Sequence, residues 1–494
     1  MRVFLTGATG FIGRALSLRL VGAGHQVTAW VRDEPRARAL IGPDIALAST
    51  RGGSNIGSAI EGADAVGNLA GEPVFGGRWT PARKRALVES RVNLTREITQ
   101  AIAASSKHPA VLISASAVGY YGDRGDQFVE DDAAAGDDFL ATLCRNWEAA
   151  AIDARGSGVR VFIPRIGIVL GADGGALARM LAPFRLGLGG PIGSGRQFVP
   201  WIHLHDMVEV LATALEDERF SGPMITSAPN PVTNRDLAKV IGKLLHRPTF
   251  MTAPALALKL ALGEAAAMLL TGQRVRPGRL EQAGFSWHFP TIGAALGDIL
   301  KDNHPLIQRI DEATPRPSAP SNSNYLADHQ ARFVLTQKTK VDAPIEEVFR
   351  FFSEPQNLGV MTPTPMQFRM LGAMPAQMRR GVRIDYQLRL GPMPLEWRTY
   401  IEAWEPPRLF ADSQESGPYS CWWHEHHFDA DGDRTRMEDR VYYSPPLGPF
   451  GVVANALFVA PALRKIFAYR TQAMRLRFPG ARISDRTRPA TLSE

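Results

Sequence analysis

Short apolar runs alternate with amphipathic segments over the first 225 residues, and this pattern predicts a layered α/β domain. Five runs have the length of buried strands: 3–6, 26–31, 63–69, 111–114 and 159–163. The segments 81–104 and 137–154 repeat apolar residues at helical spacing. Strands and helices in this order predict a doubly wound parallel sheet, whose ligand lies at the carboxyl ends of the strands.

A different pattern begins near residue 330. Between 382 and 390 every second residue is apolar and the others are charged or polar, as in a strand with one buried face. Further strands are predicted at 397–404, 420–428 and 436–443, with a short helix at 345–352 and a long one at 455–477. One-sided strands and a long helix predict an α+β domain, in which a curved antiparallel sheet wraps around that helix.

The chain of 494 residues exceeds the usual size of one domain, and changes in composition mark its boundaries. Residues 301–329 are rich in proline and include a Ser-Asn-Ser-Asn stretch, which predicts an extended, mobile linker. The predicted organisation is an α/β domain at 1–248, its helical appendage at 249–300, the linker, an α+β domain at 330–478 and a polar tail at 479–494.

Composition excludes several classes of function. The net charge of +7 comes from scattered basic residues, so we predict no nucleic-acid partner. The two cysteines, Cys144 and Cys421, are too few for a disulfide framework or a cysteine-based zinc site. The first strand begins without a preceding signal peptide, and prolines or charges interrupt the apolar stretches 251–270 and 446–463. We therefore predict a cytoplasmic protein without a membrane span.

The strand at 3–6 ends in the spacing Gly7-x-x-Gly10-x-x-Gly13, directly before an amphipathic helix. Gly7 permits a tight turn, Gly10 allows the backbone to approach a diphosphate, and Gly13 lets the helix pack on the strand. The helix N-terminus then offers N–H groups to the phosphates. This strand, turn and helix predict dinucleotide binding by a Rossmann sheet.

Several further segments of residues 1–300 carry a recognisable pattern: Asn68–Gly71, Asn93, Ser114–Gly122, Pro164–Gly171 and Trp201–Asp206. With Thr6–Gly13 they resemble the NAD-dependent epimerase/dehydratase branch of the extended short-chain dehydrogenase/reductase superfamily. The segments Leu262–Glu264, Gly272–Val275 and Ala283–Phe285 are similar to an atypical subgroup of unknown substrate. The resemblance implies a nicotinamide cofactor bound by Gly7, Thr9, Gly10, Phe11, Ile12, Gly13, Asn68, Leu69, Ala70, Gly71, Asn93, Ser114, Pro164 and Arg165.

The residue after the second strand decides between the two nicotinamide cofactors. An acidic side chain there accepts from the ribose 2′-hydroxyl of NAD, whereas a guanidinium pairs with the 2′-phosphate of NADP. The strand ends in Trp30-Val31-Arg32, so we predict NADP, with Arg32 as its 2′-phosphate ligand. Asp33 follows directly and would favour NAD if its carboxylate turned inward.

The resemblance also implies a catalytic Tyr and, four residues later, a Lys that lowers the pKa of the Tyr phenol. The matching positions hold Leu140 and Cys144, which perform neither role. We predict that Ser116 polarises a substrate oxygen and that Tyr121 donates the proton. The alternatives are Ser114 in a shifted register, Tyr120 as the acid and Arg145 as the substitute charge.

Residues 330–478 are similar to the START/polyketide-cyclase-like helix-grip family through Val341–Pro344, Val348-Phe349 and Arg440–Tyr443. This resemblance implies an apolar ligand cavity between sheet and helix. The residues predicted to line it are Val382, Ile384, Tyr386, Trp397, Ile401, Trp422, Met437, Val441 and Tyr443. Asp439 shares the phase of Met437 and Val441, so an inward carboxylate there needs a partner such as an arginine.

The sequence His424-Glu425-His426-His427 suggests a metal site only at first sight. On a strand, His424 and His426 share one face, and Glu425 and His427 share the other. Two ligands on a face do not complete a tetrahedral site, so we predict no metal.

Two functions remain open. In both, the C-terminal domain binds an apolar small molecule. In the first, an NADP-dependent oxidoreductase or epimerase acts on a molecule that this domain holds. In the second, a non-catalytic protein binds the dinucleotide as a structural or redox-sensing ligand, as the missing Tyr and Lys suggest. Substrate identity and oligomeric state are not predicted.

Overall fold

The computed structural model describes residues 1–318, 324–375, 377–390, 393–446 and 448–483. The chain divides into two compact units, an N-terminal unit at 1–302 and a C-terminal unit at 303–494. Each unit has its own sheets and its own core.

The strands of the N-terminal unit are β1 (Arg2–Thr6), β2 (Gln26–Trp30), β3 (Ala46–Ala48), β4 (Ala65–Asn68), β5 (Val111–Ser114), β6 (Ser116–Ala117), β7 (Phe128–Val129), β8 (Arg160–Ile166), β9 (Ile168–Leu170), β10 (Phe198–Val199), β11 (Trp201–His203), β12 (Gly222–Thr226), β13 (Val232–Thr233) and β14 (Arg274–Val275). Its helices are α1 (Phe11–Gly22), α2 (Glu34–Ile41), α3 (Ile56–Ile60), α4 (Pro81–Val88), α5 (Leu94–Ala104), α6 (Phe139–Ile152), α7 (Gly175–Arg185), α8 (Leu204–Glu216), α9 (Asn234–Leu245), α10 (Ala255–Leu262), α11 (Ala267–Leu270), α12 (Gly278–Gln282) and α13 (Ile292–Gly297).

Eight of these strands form a parallel sheet in the order β12-β8-β5-β4-β1-β2-β3, with β6 beside β8. The predicted doubly wound α/β sheet is confirmed. After β3 the chain crosses to the other side of β1, so the order of the sheet changes direction between β1 and β4. Ligands of such sheets bind at this point, beyond the carboxyl ends of the strands. Apolar strand residues such as Phe4, Leu112 and Val161 pack against Ile98 and Ile102 of α5 to form the core behind it.

The predicted single helix at 81–104 consists of α4 and α5 joined by a π turn at Glu89–Asn93. Such turns insert one extra residue into a helix and occur frequently at functional sites. In this one Arg91 is buried, whereas Asn93 is exposed at the end of the turn.

The predicted helical appendage at 249–300 belongs to the same unit as the sheet. It contains α10 to α13 and also β14, which pairs in parallel with β7. Ile292, Ala295 and Leu296 of α13 join a core with residues of α7 and α9, such as Leu181 and Ile241. The boundary predicted at 248 therefore lies inside one compact unit that continues to residue 302.

The strands of the C-terminal unit are β15 (Leu306–Arg309), β16 (Phe333–Val341), β17 (Arg369–Leu371), β18 (Arg383–Leu390), β19 (Met393–Glu405), β20 (Leu409–Ser416), β21 (Cys421–Asp431), β22 (Arg434–Ser444) and β23 (Arg482–Ile483). Its helices are α14 (Tyr325–Asp328), α15 (Ile345–Ser353), α16 (Gly451–Ala454) and α17 (Ala460–Arg477). The strands pair antiparallel in the order β15-β16-β22-β21-β20-β19-β18-β17, with β23 beside β16. The predicted antiparallel sheet with a long helix is confirmed, whereas the polar stretch 412–415 hides β20 from the sequence pattern.

The structure differs from the predicted mobile linker at 301–329. Its strand β15 pairs with β16, because the backbone of Leu306–Arg309 completes the edge of the sheet. Further along, the Tyr442 hydroxyl donates to the Pro315 carbonyl at 2.9 Å. The backbone N–H of Trp422 donates to the Tyr325 hydroxyl at 3.0 Å. The segment thus covers the outer face of the sheet, where Trp423 is buried. Residues 319–323 of the predicted linker lie outside the described residues.

The predicted tail at 479–494 begins with an ordered segment. Ala481 is buried, and β23 pairs Arg482 and Ile483 with Lys340 and Thr339 of β16. Residues 484–494 lie outside the described residues, so the prediction of a frayed end stays a prediction there.

The stretch Gly451–Arg477 is the one helical segment in the described part of the chain that is long and apolar enough to cross a membrane. Its second half is α17, whose Leu463 and Phe467 pack on the inner face of the sheet against Val441 and Tyr443. Its first part exposes Leu457 and Phe458. Because core helices of globular domains meet the same criteria of length and composition, this segment carries no argument for a membrane span.

Candidate functional site

The glycine turn between β1 and α1 is too tight for side chains. Gly7 has a φ of 75°, and a Cβ there would lie 2.6 Å from the carbonyl carbon of Leu69, just after β4. A Cβ on Gly13 would lie 2.1 Å from the carbonyl oxygen of Gly7. Neither distance is compatible with a real Cβ, so glycine is required at both positions. The turn therefore holds the start of α1 against the ends of β1 and β4.

The N-terminus of α1 has the properties of an anion site. Its N-cap is Gly10, which has no side chain to cap the helix, and the first turn contains no acidic residue. N–H groups at this end are therefore available, and the helix dipole favours a negative charge there. The ring of Phe11, the first residue of the helix, packs directly on the backbone of Gly171 and Gly174. A Cβ added to Gly171 or Gly174 would lie only 2.7 or 2.6 Å from this ring, so the contact requires glycine at both positions.

Asn68 and Ser114, two predicted cofactor residues, lie buried beneath this crevice. The Thr6 hydroxyl donates to Asn68 Oδ1 at 2.8 Å, and Asn68 Nδ2 donates to Thr95 Oγ1 at 2.8 Å and to Ser114 Oγ at 3.4 Å. These bonds connect β1, β4, β5 and α5. Asn68 and Ser114 thus support the crevice from below rather than present their side chains to a ligand.

The remaining predicted cofactor residues differ in exposure. Gly10, Gly71 and Asn93 are exposed, and Thr9, Phe11, Ile12, Leu69 and Ala70 are half-buried. The segment after β4 is fixed by Arg91 Nη2, which donates to the Glu72 carbonyl at 2.9 Å. Pro164, by contrast, is buried within β8.

The positions of Arg32 and Asp33 bear on the choice between NADP and NAD. The Asp33 side chain is the N-cap of α2, where its Oδ1 accepts from the Arg36 N–H at 3.0 Å. The Arg32 side chain is 92% exposed, and its Nη1 lies 3.5 Å from Glu72 Oε1. Because capping occupies the carboxylate while the guanidinium remains accessible, this corner is better suited to a phosphate than to a ribose hydroxyl.

Four side chains from β6, the turn after it, α6 and β8 form a buried network, which we call the strand–helix network: Ser116, Tyr121, Glu148 and Arg165. The Ser116 hydroxyl donates to Glu148 Oε1 at 2.6 Å, and Arg165 donates to the two oxygens of Glu148 at 2.9 and 2.8 Å. Arg165 Nη1 also donates to the Tyr121 hydroxyl at 2.8 Å, which donates to the Asp131 carbonyl at 3.2 Å. Each charged group in the network therefore has a partner.

The network corrects two predicted roles. Arg165, a predicted cofactor ligand, directs its guanidinium to Glu148 and Tyr121 in a buried position. Tyr121, the predicted acid, is 0% exposed, and burial raises the pKa of its phenol above the ordinary value, although Arg165 opposes this. Its hydroxyl is thus poorly placed to donate a proton to a substrate. Ser116 is also buried, but its oxygen still carries lone pairs that can accept a proton.

The positions of the missing Tyr and Lys contain nothing that replaces them. Leu140 has no ionisable group, and burial raises the pKa of the Cys144 thiol to about 12, so Cys144 is neutral at physiological pH. Arg145 is exposed and donates to Thr142 at 3.1 Å, on the outside of α6. Tyr120 is half-buried, and the Arg165 guanidinium lies 3.5 Å from the centre of its ring.

Glu148 is a site residue that is not among the predicted ones. It lies four residues after Cys144 on the buried face of α6, among Leu143, Trp147 and Ala151. A carboxylate on such a face requires a cationic partner. That signal predicts an internal ion pair, although it does not identify Arg165 on a distant strand.

A cleft of about 420 Å³ lies in the N-terminal unit, and it is rich in arginine. Its lining includes Arg196, Arg235 and Arg274, opposed by Asp126 and Asp236. The segment that carries Arg274 contacts the turn after Tyr121, because Gln273 Nε2 donates to the Gly122 carbonyl at 2.6 Å. The cleft offers positive charge to an anionic group, and its Arg274 segment contacts the turn that follows Tyr121.

The inner face of the C-terminal sheet combines the predicted aromatic residues with polar ones. The predicted lining residues are all buried or half-buried, and the Trp397 ring lies 6.0 Å from Tyr386 and 5.1 Å from Trp422. Asp439 lies on this face as predicted, and its Oδ1 is 3.8 Å from Arg470 Nη2 of α17. Although burial opposes it, the charge of Arg470 and the neighbouring imidazoles hold the pKa of Asp439 well below its usual range.

Asp412, His424 and His426 lie beside this pair, and we call the five residues the interior cluster. His424 Nε2 lies 3.1 Å and His426 Nδ1 lies 2.8 Å from Asp439 Oδ1. Burial raises the pKa of Asp412 to about 6 and lowers the pKa of His426 to about 3. On the outer face, Glu425 and His427 pair with each other at 2.9 Å, so the predicted division of this segment between two faces is confirmed.

The sheet, the glycine turn and the N-terminus of α1 define the N-terminal unit as a dinucleotide-binding Rossmann domain. Comparison with known proteins agrees, since residues 3–225 match the NAD dependent epimerase/dehydratase family and residues 253–299 match a domain of unknown function (DUF1731). The human epimerase family protein SDR39U1 is 38% identical over 304 residues, which are 61% of this chain and 100% of that protein. The Mycobacterium bovis epimerase family protein Mb2239 is 41% identical over 296 residues, 60% of this chain and 96% of that one. The chain belongs to the NAD-dependent epimerase/dehydratase family.

Solved structures show the same fold. The crystal structure of human SDR39U1 (isoform 2) with NADPH has a TM-score of 0.56 and 37% identity, and covers 61% of this chain and 99% of that one. The UDP-glucuronic acid 4-epimerase of Bacillus cereus, in complex with UDP-glucuronic acid and NAD, has a TM-score of 0.51 at 15% identity over 61% of this chain and 99% of that one. At that identity the second likeness concerns the fold alone.

Proposed function

We propose that the N-terminal unit binds NADP and acts as an oxidoreductase or epimerase on a small molecule. The observation that carries this proposal is the exposed start of α1 behind a turn that only glycine fits. The diphosphate would lie against the N–H groups of this helix, next to Leu69 and Ala70. A bound nicotinamide supplies a hydride acceptor or donor.

Arg32 supports NADP over NAD, because its guanidinium is accessible while the neighbouring Asp33 caps α2. The NADPH in the human relative's crystal structure is consistent with this choice. Asn93 is exposed at the end of the π turn, where its amide is available to hydrogen-bond the cofactor.

We assign the proton transfer to Ser116 and Glu148. During oxidation of an alcohol, the substrate O–H would pass its proton to Ser116 Oγ while the Ser116 hydroxyl proton moves to Glu148, 2.6 Å away. Reduction of a carbonyl would follow the same path in reverse. Arg165 and Tyr121 act as positioning residues in this scheme, since Arg165 donates to both oxygens of Glu148 and is itself held by the Tyr121 hydroxyl.

The cleft lined by Arg196, Arg235 and Arg274 supports a substrate with an anionic group. Guanidinium groups bind carboxylates and phosphates through charge-assisted hydrogen bonds. The contact between Gln273 and Gly122 connects the segment of Arg274 to the turn that carries Tyr121.

We also propose that the C-terminal unit is a START-like helix-grip domain for an apolar small molecule. Its support is the antiparallel sheet packed on α17 and an aromatic inner face around Trp397 and Trp422. The indole N–H of Trp397 is buried without a hydrogen-bond partner in the described ranges, so a polar atom of the ligand would satisfy it.

The experiment that tests the enzyme proposal follows absorbance at 340 nm with NADP or NADPH and a panel of anionic alcohols and carbonyl compounds. Ser116→Ala should lower turnover about 100-fold while NADPH affinity stays unchanged, because the proton path is lost but the cofactor site is not. Ser105→Ala is the matched control, since that serine is at the surface and bonds Glu61. Equal turnover in wild type and Ser116→Ala would remove Ser116 from the mechanism.

One observation favours a second function, in which the dinucleotide is a structural or sensory ligand. The positions of the usual Tyr and Lys hold Leu140 and Cys144, and both predicted catalytic residues are buried. Tight NADPH binding with no turnover across the panel would support this function, and any turnover that depends on Ser116 would exclude it.

A further inference from the structure

The interior cluster of the C-terminal unit gathers metal-ligating groups from adjacent strands. Asp412 comes from β20, and His424 and His426 come from β21. One ligand atom of each of these three residues lies within 4.8 Å of the others. Asp439 of β22 adds a second carboxylate 3.1 Å from His424 and 2.8 Å from His426.

Register explains why these side chains meet. Asp412 pairs directly with His424 across β20 and β21, and His426 pairs with Asp439 across β21 and β22. Directly opposed residues share one face of a sheet, so two carboxylates and two imidazoles converge on the inner face. The rings of His424 and His426 lie 3.8 Å apart, centre to centre.

The cluster is not satisfied by its own members. Asp412 Oδ2 and His426 Nδ1 are buried and make no hydrogen bond to any residue that the structure describes. His426 is only 4% exposed, and its Nδ1 lies 2.8 Å from Asp439 Oδ1, whereas Asp412 Oδ2 lies 3.9 Å from His424 Nδ1. Buried polar atoms in this state require a missing partner.

Charge identifies the kind of partner. Asp439 has Arg470 beside it, with 3.8 Å between Oδ1 and Nη2, whereas Asp412 Oδ2 faces the imidazole of His424, whose Nδ1 is 3.9 Å away. A cation would compensate that carboxylate and use the lone pairs of the imidazoles. Imidazole and carboxylate together suit zinc and its first-row neighbours, for which ligand atoms around one ion lie roughly 3.3 Å apart.

We propose that Asp412, His424 and His426 form a binding site for a divalent first-row transition metal, represented by Zn²⁺, in which Asp439 positions the two imidazoles and is itself paired with Arg470. Three protein ligands leave a coordination position for water or for an oxygen of a bound molecule. The site lies in the C-terminal unit, so it is independent of the dinucleotide function proposed for residues 1–302.

The test is metal analysis of the full chain after incubation with ZnCl₂ and dialysis. Wild type should retain about one zinc per chain, and the double variant H424A/H426A should retain less than about a tenth of that. His427→Ala is the matched control, because it removes an imidazole from the same strand on the outer face and should leave zinc content unchanged.

A titration of wild type with Co²⁺ keeps the proposal falsifiable even if the double variant does not fold. The expected result is the visible absorption of tetrahedral Co²⁺, saturating at about one equivalent and displaced by Zn²⁺. The proposal is overturned if wild type retains no zinc and shows no such absorption, or if a folded H424A/H426A variant binds zinc as tightly as wild type.

Discussion

The strand–helix network and the interior cluster are both buried and charged, yet they differ in completeness. In the first, Arg165 and Glu148 form two hydrogen bonds with each other and satisfy Ser116 and Tyr121 as well. In the second, Asp412 Oδ2 and His426 Nδ1 have no hydrogen-bond partner among the described residues. The ion pair of the first holds the proposed proton path in place, whereas the second leaves Asp412 Oδ2 open to a ligand from outside.

The largest expected effect tests the paired network. Arg165→Met removes the partner of a buried carboxylate and should cost about 3–5 kcal/mol of unfolding free energy, measured by urea denaturation. Arg383→Met is its control, since the pair of Arg383 with Glu415 is exposed and should be worth less than about 1 kcal/mol. Similar costs for the two variants would show that the buried pair of Arg165 and Glu148 contributes no more to stability than an exposed one.

The second prediction tests whether NADPH binds at the glycine turn between β1 and α1 and not at the strand–helix network. Gly13→Ala places a Cβ where the structure leaves 2.1 Å to the Gly7 carbonyl, and should weaken NADPH binding by roughly 100-fold. Gly156→Ala adds the same group in open space and should leave the affinity unchanged. Fluorescence titration measures both, and normal binding by Gly13→Ala would contradict the assigned site.

A smaller effect is expected for cofactor choice. Arg32→Ala removes an accessible guanidinium and should weaken NADPH binding about tenfold while NADH binding changes little. Arg96→Ala removes another exposed positive charge, this one on α5, and serves as the control for net charge. If both cofactors lose affinity equally, Arg32 does not read the 2′-phosphate.

The smallest effect belongs to the incomplete cluster. Asp412→Asn removes a buried charge that lacks full compensation, so the metal-free chain should gain about 1 kcal/mol of unfolding free energy. The same substitution should abolish the stabilisation that Zn²⁺ gives to wild type, measured as a shift of Tm. A large loss of stability without metal would mean that Asp412 is already paired.

The two regions also differ in how far the sequence predicts them. The glycine turn and the strand before it are contiguous, so spacing alone indicates the fold, the crevice and the exposed helix start. The strand–helix network joins Ser116, Glu148 and Arg165 across three elements, and no local pattern reveals which buried carboxylate pairs with which arginine. For this reason Arg165 was predicted as a cofactor ligand, although it is an internal ion-pair partner.

The interior cluster shows the same limit more strongly. Alternation along β21 correctly places His424 and His426 on one face. A single strand, however, provides only these two candidate metal ligands on that face. The third ligand, Asp412, lies on a strand whose polar sequence hides it, and the register between strands is not visible in the sequence. Strand β15 within the predicted linker is not visible in the sequence for a related reason, because it forms by pairing with β16 and not by local preference.

The most direct test of the central claim is calorimetric titration of the full chain with NADPH and NADH under the same conditions. The account predicts one binding site per chain and at least tenfold tighter binding of NADPH, because the start of α1 receives the diphosphate and Arg32 the 2′-phosphate. Absence of binding by both dinucleotides to the folded chain, or tighter binding of NADH, would contradict it.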